Sequence, residues 1–310
     1  MQTPTATPAS ASPTSPEPAT DVESLVGERT VPDLWDENYW FRRHEAAYLR
    51  LAPLVTSATT GRDVVLEAGA GEGYGVDLLS RFGAATVVAL DYDAGTVAHG
   101  AVRYPQAAWL RGNLAKLPLA AGSVAAVSSF QVIEHLWTPW EFLAECARVL
   151  RPGAPVVMTT PNRPVFSPGV GRLERPPNPY HVREFDAEEL YDTIATQLTV
   201  ESVLGLVHGP RLRAWEARHG DVVAAQLRAS PAAWPAALTD LVTSVTAADF
   251  EIVRLWSPTT GWLASREMPQ VVGDEPPDAD AGTGNSVIEA TAGGARPVHD
   301  LLVVARRGHG

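Results

Sequence analysis

The sequence predicts a doubly wound α/β fold built on a mostly parallel sheet, and three observations support this. Short aliphatic runs alternate with amphipathic helical segments between residues 63 and 160. The first of these runs leads into a turn that has glycine at every second position, Gly69, Gly71 and Gly73. Polar side chains follow the runs at their carboxyl ends, which is where a sheet of this kind binds its ligands.

The predicted elements follow one another through short connections. We expect strands at 63–68, 86–91, 107–110, 124–129 and 155–160, and helices at 74–82, 94–102 and 139–150. A proline-rich loop then leads to a helix at 186–196, a strand at 198–205 and several short helices within 210–247. The aliphatic run at 301–305 predicts a closing strand. The expected sheet therefore has seven strands, with a helical insertion near the C-terminus.

The segments around this core differ from it in composition. Residues 1–21 are rich in Pro, Thr, Ala and Ser, which predicts a disordered tail, and 22–310 then form a single domain. Within that domain, helices at 22–60 are expected either to form a lid or simply to pack on the sheet edge. The remaining parts are a cofactor-binding core at 61–162, an acceptor-side loop with helices at 163–262, an acidic mobile loop at 263–298 and the closing strand at 299–310.

Composition and charge exclude several classes of function. The formal net charge of −12 argues against a nucleic-acid partner, because phosphate backbones bind basic surfaces. No apolar run reaches the length of a membrane span, and no Lys or Arg precedes Arg29 as a signal peptide would require. The single cysteine, Cys146, lies in an amphipathic pattern and is expected to be buried. The sequence thus predicts a cytoplasmic protein with a small-molecule substrate and no membrane contact.

The glycine turn predicts a nucleotide-containing ligand but leaves its identity open. Without side chains the backbone can approach a ligand closely, and Asp91, twenty residues after Gly71, can accept hydrogen bonds from a ribose. Dinucleotide-binding and S-adenosylmethionine-binding folds share both features. An NAD(P)-dependent oxidoreductase would also need a Gly-x-Gly-x-x-Gly turn and a catalytic Tyr-x-x-x-Lys. The only lysine, Lys116, has no such tyrosine partner.

Two later segments favour S-adenosylmethionine. Asn113-Leu114 follow the third strand, and the run Phe130-Gln131-Val132-Ile133-Glu134-His135-Leu136 ends the fourth. With these motifs the chain resembles the class I S-adenosylmethionine-dependent methyltransferases over residues 60–162 and again at the last strand. The departures are Asn113, where the family often has Asp, and Ser123-Val124-Ala125-Ala126, where the fourth strand often begins with Phe-Asp.

The resemblance implies a Rossmann-like sheet and a donor site at known positions. The methionine part would lie on Gly69, Ala70, Gly71 and Gly73, with Glu67 near its amino group and Gln131 beside it. Asp91 would hold the ribose, with Tyr92 as an adjacent contact, and Asn113 and Leu114 would flank the adenine.

The candidate catalytic residues are Glu134, His135 and His181. Glu134-His135 resembles a segment of ubiquinone-biosynthetic and related O-methyltransferases, some of which bind a divalent metal there. The pair could act as a base, bind a metal or be structural; Gln131 in place of an acid makes a metal possible but not favoured. A catalytically inactive donor-binding protein is a further alternative.

A second group of motifs suggests the acceptor. The segment at 178–185, Asn-Pro-Tyr-His-Val-Arg-Glu-Phe, and Gly205–Leu212 with Trp215 and Glu216 resemble the methyltransferases that modify the glucose oligosaccharide of mycofactocin. This implies O-methylation of a sugar hydroxyl, while aromatic or amine acceptors stay open. His208 is either a residue that faces the ligand or a turn residue.

Overall fold

The protein is described by a computed structural model that covers residues 30–57, 59–84, 86–263 and 296–309. The predicted disordered tail and nearly all of the predicted acidic loop lie outside the described residues. In chain order the elements are α1 (Asn38–Thr56), β1 (Val64–Ala68), α2 (Tyr74–Arg81), β2 (Thr86–Asp91), α3 (Ala94–Arg103), β3 (Ala108–Arg111), β4 (Ala126–Phe130), α4 (Pro139–Val149), β5 (Pro155–Pro161), α5 (Arg163–Phe166), α6 (Ala187–Ala195), β6 (Thr199–His208), α7 (Pro210–His219), α8 (Val222–Leu227), α9 (Ala236–Ser244), β7 (Phe250–Ser257), β8 (Gly261–Trp262) and β9 (Val298–Arg306).

One sheet runs through the molecule in the order β3-β2-β1-β4-β5-β9-β6-β7-β8. The strands from β3 to β5 pair in parallel, and β9 lies antiparallel between β5 and β6. The predicted doubly wound α/β class is confirmed. The strand order reverses between β1 and β4, and a crevice at the carboxyl ends of these strands is the usual ligand site of such a sheet.

The sheet extends further than the sequence analysis predicted, with nine strands in the described residues where seven were expected. The two additional strands are β7, which pairs with β6, and the two-residue β8 at the sheet edge. Several β7 residues are only partly buried, and the strand carries Glu251 and Arg254 among its apolar residues. Only the last two residues of β7 pair with β8, and a partly buried strand of this kind has a weak hydrophobic signal, which explains the omission.

Apolar side chains pack on both faces of the sheet. One cluster joins the sheet to α1, α2 and the helical insertion α7–α9, with Tyr39, Leu51, Leu79 and Leu212 among its buried members. The second lies under α4 and α6 and includes Cys146, which is fully buried as predicted. In the part of the chain that the structure describes, no helix is both long enough and apolar enough to cross a membrane.

Candidate active site

The predicted glycine turn follows β1 and adopts a backbone that glycine favours. Gly69, Gly71 and Gly73 have positive φ angles of 79°, 54° and 103°. The amides of Gly69 and Ala70 both donate to the Leu90 carbonyl on the neighbouring strand β2, at 2.9 and 3.0 Å. These bonds hold the turn against the end of β2, directly before α2 begins.

The turn opens toward free space at one of its glycines. A Cβ atom built on Gly71 would meet no heavy atom within 4 Å, whereas one on Gly69 would lie 2.6 Å from Val132. A Cβ on Gly73 would lie 2.6 Å from the Tyr104 ring. Packing therefore leaves no room for a side chain at Gly69 and Gly73. Gly71 is the position where a ligand can reach the backbone.

Glu67 lies beneath this turn with a carboxylate that the protein leaves incompletely satisfied. Its side chain is buried, Oε1 accepts a hydrogen bond from the Tyr48 hydroxyl, and Oε2 has no hydrogen-bond partner. Burial raises the pKa of Glu67 from 4.5 to about 7, because a charged carboxylate loses its hydration there. A nearby cationic group would stabilise the charged form, so the site fits a ligand with an amino group.

The other predicted donor contacts lie along the ends of β2 and β3. Asp91 accepts hydrogen bonds from the Gly71 amide at 2.9 Å and the Asp93 amide at 3.0 Å, so it fixes the turn. Tyr92 is 71% exposed at the end of β2. Asn113 Oδ1 accepts from the Ala115 amide in a local turn, and Leu114 is buried.

A cavity of about 600 Å³ lies at the carboxyl ends of the strands. Its lining includes seven residues that the sequence singled out: Gly69, Ala70, Gly71, Gln131, Glu134, His135 and His181. The remaining candidates, Glu67, Gly73, Asp91, Tyr92, Asn113 and Leu114, are not part of this lining. The structure thus joins most of the glycine turn and the proposed catalytic residues in one space. The predicted ribose and adenine contacts lie outside its lining, and so do Glu67 and Gly73 of the predicted methionine contacts.

Glu134 and His135 lie in a short 3₁₀ turn directly after β4. Glu134 is buried, its Oε2 accepts from the Thr160 hydroxyl at 2.9 Å, and its backbone carbonyl accepts from the amides of Val182 and Arg183. Burial raises the pKa of this carboxyl, while the positive charge that His135 or His181 can carry acts in the opposite direction. The turn after β4 is thereby fastened to the loop that carries His181.

His135 and His181 meet across the cavity wall although 46 residues separate them in sequence. Their rings contact edge to face with centroids 5.0 Å apart. His135 Nδ1 lies 3.0 Å from the Tyr180 carbonyl, so Nδ1 carries the hydrogen and donates it, and Nε2 keeps its lone pair. His181 Nδ1 lies 2.7 Å from Glu184 Oε1, and its Nε2 lies 3.2 Å from the Asn178 amide nitrogen.

Sequence reasoning missed the wall that α1 contributes. Trp40, Arg43, His44 and Tyr48 of this helix all line the cavity. Their spacing of three and four residues places them on one helix face, and that periodicity in an aromatic-rich segment was the signal that could have identified them. The region predicted as lid helices contains one helix in its described part.

Arg43 connects this wall to the sheet through a buried ion pair. Its Nε lies 3.0 Å from Asp300 Oδ2, and the guanidinium lies between the rings of Trp40 and Phe166, 5.0 and 4.9 Å from their centroids. Gln131 donates from Nε2 to the Thr159 hydroxyl at 3.0 Å. Gln131 also has a φ of 54°, a left-handed value that is rare outside glycine, so packing holds it in a strained position at the cavity.

His208 does not line this cavity. It is the last residue of β6, is buried, and lies beside Tyr39, Glu216 and His299. The structure therefore places it in the interior at the junction of β6 and α7, and it does not face the cavity.

Comparisons with known proteins show the family to which the chain belongs. A family model described as a methyltransferase domain matches residues 66–158. A protein of Mycobacterium tuberculosis named "Probable S-adenosylmethionine-dependent methyltransferase" is 50% identical over 250 residues, covering 79% of this chain and 86% of the relative. A relative of similar name from Mycolicibacterium smegmatis is 49% identical over 232 residues, covering 74% and 87%.

A solved structure shows the same fold. Geranyl diphosphate methyltransferase in complex with S-adenosylmethionine superposes with a TM-score of 0.51 and 14% identity, covering 91% of this chain and 93% of that chain. The sheet and the cavity at the carboxyl ends of its strands define the chain as a protein of the Rossmann-like α/β fold class. At 50% identity over most of its length, the chain belongs to the S-adenosylmethionine-dependent methyltransferases.

Membership in this family makes S-adenosylmethionine the methyl donor and excludes the NAD(P)-dependent oxidoreductase alternative. The residues present fit that donor on structural grounds as well. The carboxylate of Glu67 has a buried oxygen without a partner, and the backbone at Gly71 opens on free space. These two features match a ligand that carries an ammonium group and lies close to the turn.

Proposed function

We propose that this chain transfers the methyl group to a hydroxyl oxygen of a small molecule or oligosaccharide, and that His135 removes the hydroxyl proton. The observation that carries the proposal is the position of Glu134, His135 and His181 in the cavity that also contains Gly71. A base within reach of the donor turn is what an acceptor with a weakly acidic hydroxyl requires.

The chain holds the donor with the residues that the family resemblance indicates. Bound S-adenosylmethionine supplies an electrophilic methyl group on a positively charged sulfur. Glu67 pairs with the donor's amino group, the turn at 69–73 and Gln131 contact its methionine part, and Asp91 with Tyr92 holds the ribose. Asn113 and Leu114 flank the adenine. Support comes from the orphan oxygen of Glu67 and the open space at Gly71.

His135 is the proton acceptor because of its tautomer and its neighbours. Donation from Nδ1 to the Tyr180 carbonyl leaves the Nε2 lone pair for a proton. The Glu134 carboxylate stabilises the imidazolium that forms, and His181 is oriented by its bond to Glu184. An acid–base group placed in this way contributes roughly 10²- to 10⁴-fold to a rate.

The acceptor end of the cavity combines polar groups with aromatic faces. Asn178, Tyr180 and Glu184 line it together with Trp40 and Phe166. Hydroxyl-rich acceptors suit such a lining, because their hydroxyls find hydrogen-bond partners while their C–H faces pack on aromatic rings. A sugar chain, such as the glucose chain of mycofactocin that the 178–185 segment favours, is therefore our preferred acceptor.

One observation favours a second candidate function. Ligand atoms of Glu134, His135 and His181 lie within 4.8 Å of one another, which is compatible with a divalent metal ion. In this alternative the chain is a metal-dependent O-methyltransferase of a phenol, quinone or similar acceptor, in which the metal binds the acceptor oxygen.

Product analysis tests the proposal. The full chain is incubated with S-adenosylmethionine carrying a labelled methyl group and with panels of oligosaccharides, phenols and amines, with and without EDTA. We expect the label on a hydroxyl oxygen of a sugar, with EDTA having no effect. Label on nitrogen would contradict the proposal. Loss of O-methylation in EDTA by a chain that stays folded, seen also in Glu216→Gln, would support the metal-dependent alternative.

A further inference from the structure

A second group of potential ligands lies outside the cavity, where the insertion meets the sheet. His208 ends β6, Glu216 lies on α7 and His299 lies on β9. Ligand atoms of the three residues lie within 4.8 Å of one another. Both imidazoles are buried, at 2% and 0% exposure, so water does not compete freely for their nitrogens.

The hydrogen-bonding groups of this cluster are left unsatisfied. Neither ring nitrogen of His299 makes a hydrogen bond of good geometry, although the Pro297 backbone lies within hydrogen-bonding range of the ring. His208 Nδ1 lies 3.0 Å from Glu216 Oε2, yet it too lacks hydrogen-bond geometry. Buried polar atoms normally have partners, and leaving one without costs about 1–3 kcal/mol. Three such nitrogens in two adjacent rings call for an explanation.

The remaining contacts orient these groups as metal ligands are oriented. His208 Nε2 lies 2.7 Å from the Tyr39 hydroxyl, so a hydrogen on Nε2 leaves the Nδ1 lone pair directed toward Glu216. A metal-bound histidine commonly uses its other ring nitrogen in this way. Glu216 Oε1 accepts from the Val222 amide at 3.3 Å, which leaves Oε2 beside His208. The two imidazoles stack with centroids 3.7 Å apart and planes 25° from parallel, so one ring has to turn before a nitrogen of each faces the same ion.

Charged groups of both signs surround the cluster. Three carboxylates around the cluster, Asp221, Glu216 and Asp300, face two guanidinium groups, Arg43 and Arg213.

We propose that His208, Glu216 and His299 bind a divalent transition-metal ion, Zn²⁺ in the first instance, that joins α7 to β6 and β9. Two imidazoles and one carboxylate are a common protein ligand set for Zn²⁺, with water as the fourth ligand. Bonds of about 2.0–2.1 Å place tetrahedral ligands roughly 3.3 Å apart. His208 Nδ1 and Glu216 Oε2 already lie 3.0 Å apart, so His299 is the ligand that needs to approach, by up to about 1.5 Å. The ion is separate from the methyl-transfer cavity.

Metal titration of the untagged full chain tests this site. Protein freed of metal by chelator is titrated with Co²⁺, whose four-coordinate complexes absorb visible light, and with Zn²⁺, whose content is measured by mass spectrometry. We expect one equivalent bound at this site and a rise in Tm of roughly 5 °C with Zn²⁺ at a hundredfold excess over its Kd. A wild-type chain that binds neither ion overturns the proposal.

Matched variants locate the ion. Glu216→Gln keeps the shape of a half-buried side chain, and we expect it to lose one equivalent of bound metal ion. We expect the same loss in His299→Ala, provided that this variant folds. His219→Ala changes an exposed histidine on the same helix, and we expect this variant to keep the bound equivalent of metal ion. We expect the same of His181→Ala. If His181→Ala loses the only equivalent while Glu216→Gln retains it, the ion lies in the cavity and the proposal is wrong. None of these readouts depends on methyl transfer, so they stand apart from the proposed function.

Discussion

The two ends of the cavity are built in different ways. At the end proposed to bind the donor, the site is formed by the backbone. Three glycines with positive φ and the ends of the strands shape the turn within a short stretch of chain. At the acceptor end, side chains from α1, the turn after β4, the loop before α6 and β9 come together, as Arg43 with Asp300 and His135 with His181 illustrate. Local sequence therefore encodes the first end, and tertiary packing creates the second.

The largest expected effect is on the catalytic rate, and it should leave donor binding unchanged. We expect His135→Ala to lower kcat by roughly 10²- to 10⁴-fold, because it removes the proposed proton acceptor, and to leave the Kd for S-adenosylmethionine unchanged. Steady-state kinetics and calorimetry measure the two quantities. A variant that retains wild-type kcat would remove His135 from the mechanism.

The acceptor end should depend on its buried ion pair. Arg43→Met leaves Asp300 buried without its cation, and we expect a loss of about 3–5 kcal/mol in the free energy of unfolding. The neighbouring Arg42→Met is the control, because Arg42 pairs with Glu45 nearer the surface and should cost no more than about 1 kcal/mol. Urea unfolding measures the free energy of unfolding of both variants. Equal losses would show that the buried ion pair stabilises the protein no more than the surface pair does.

The buried carboxyl group of Glu67 should make the stability of the protein depend on pH. Between pH 4.5 and about 7 folded Glu67 keeps a proton that the unfolded chain has released, so its raised pKa makes stability fall as pH rises. Above pH 7 this penalty reaches about 3 kcal/mol. We expect Glu67→Gln to remove it, so that the variant gains stability relative to wild type from pH 4.5 to pH 8. Glu141→Gln, at an exposed site, should show no such trend in urea unfolding.

A smaller effect is expected at Asp91. Asp91→Ala removes the proposed ribose contact and the bond to the Gly71 amide, and should weaken donor binding about 10- to 100-fold in calorimetry. Asp93→Ala is the matched control, because Asp93 caps α3 by accepting from the Thr96 amide. Its loss should cost about 1 kcal/mol of stability and leave donor affinity intact. Unchanged affinity in Asp91→Ala would contradict the ribose assignment.

The smallest effect distinguishes two glycines of one turn. Gly71→Ala meets no neighbouring atom, so its cost in unfolding free energy is the left-handed backbone alone, about 1–2 kcal/mol. Its new methyl group points into the proposed donor space, and donor affinity should fall as well. Gly73→Ala meets the Tyr104 ring and should lose more stability. A Gly71→Ala chain that binds the donor normally would place the donor elsewhere.

The same contrast explains what the sequence could predict. The elements from β1 to β5 were predicted closely because hydrophobic periodicity and glycine spacing are local signals. The pairing of His135 with His181 and the interior position of His208 depend on contacts between distant segments, which no local pattern encodes. β7 was missed because a partly buried strand near the sheet edge has little periodicity to detect.

The position of β9 has a consequence for the order in which the sheet forms. This strand inserts between β5 and β6 and brings His299 and Asp300 into the interior. Without β9 the described sheet has a gap in its middle, and Arg43 lacks its carboxylate partner. We therefore expect the sheet to close only when β9 has docked, and deletion of 298–306 to abolish folding.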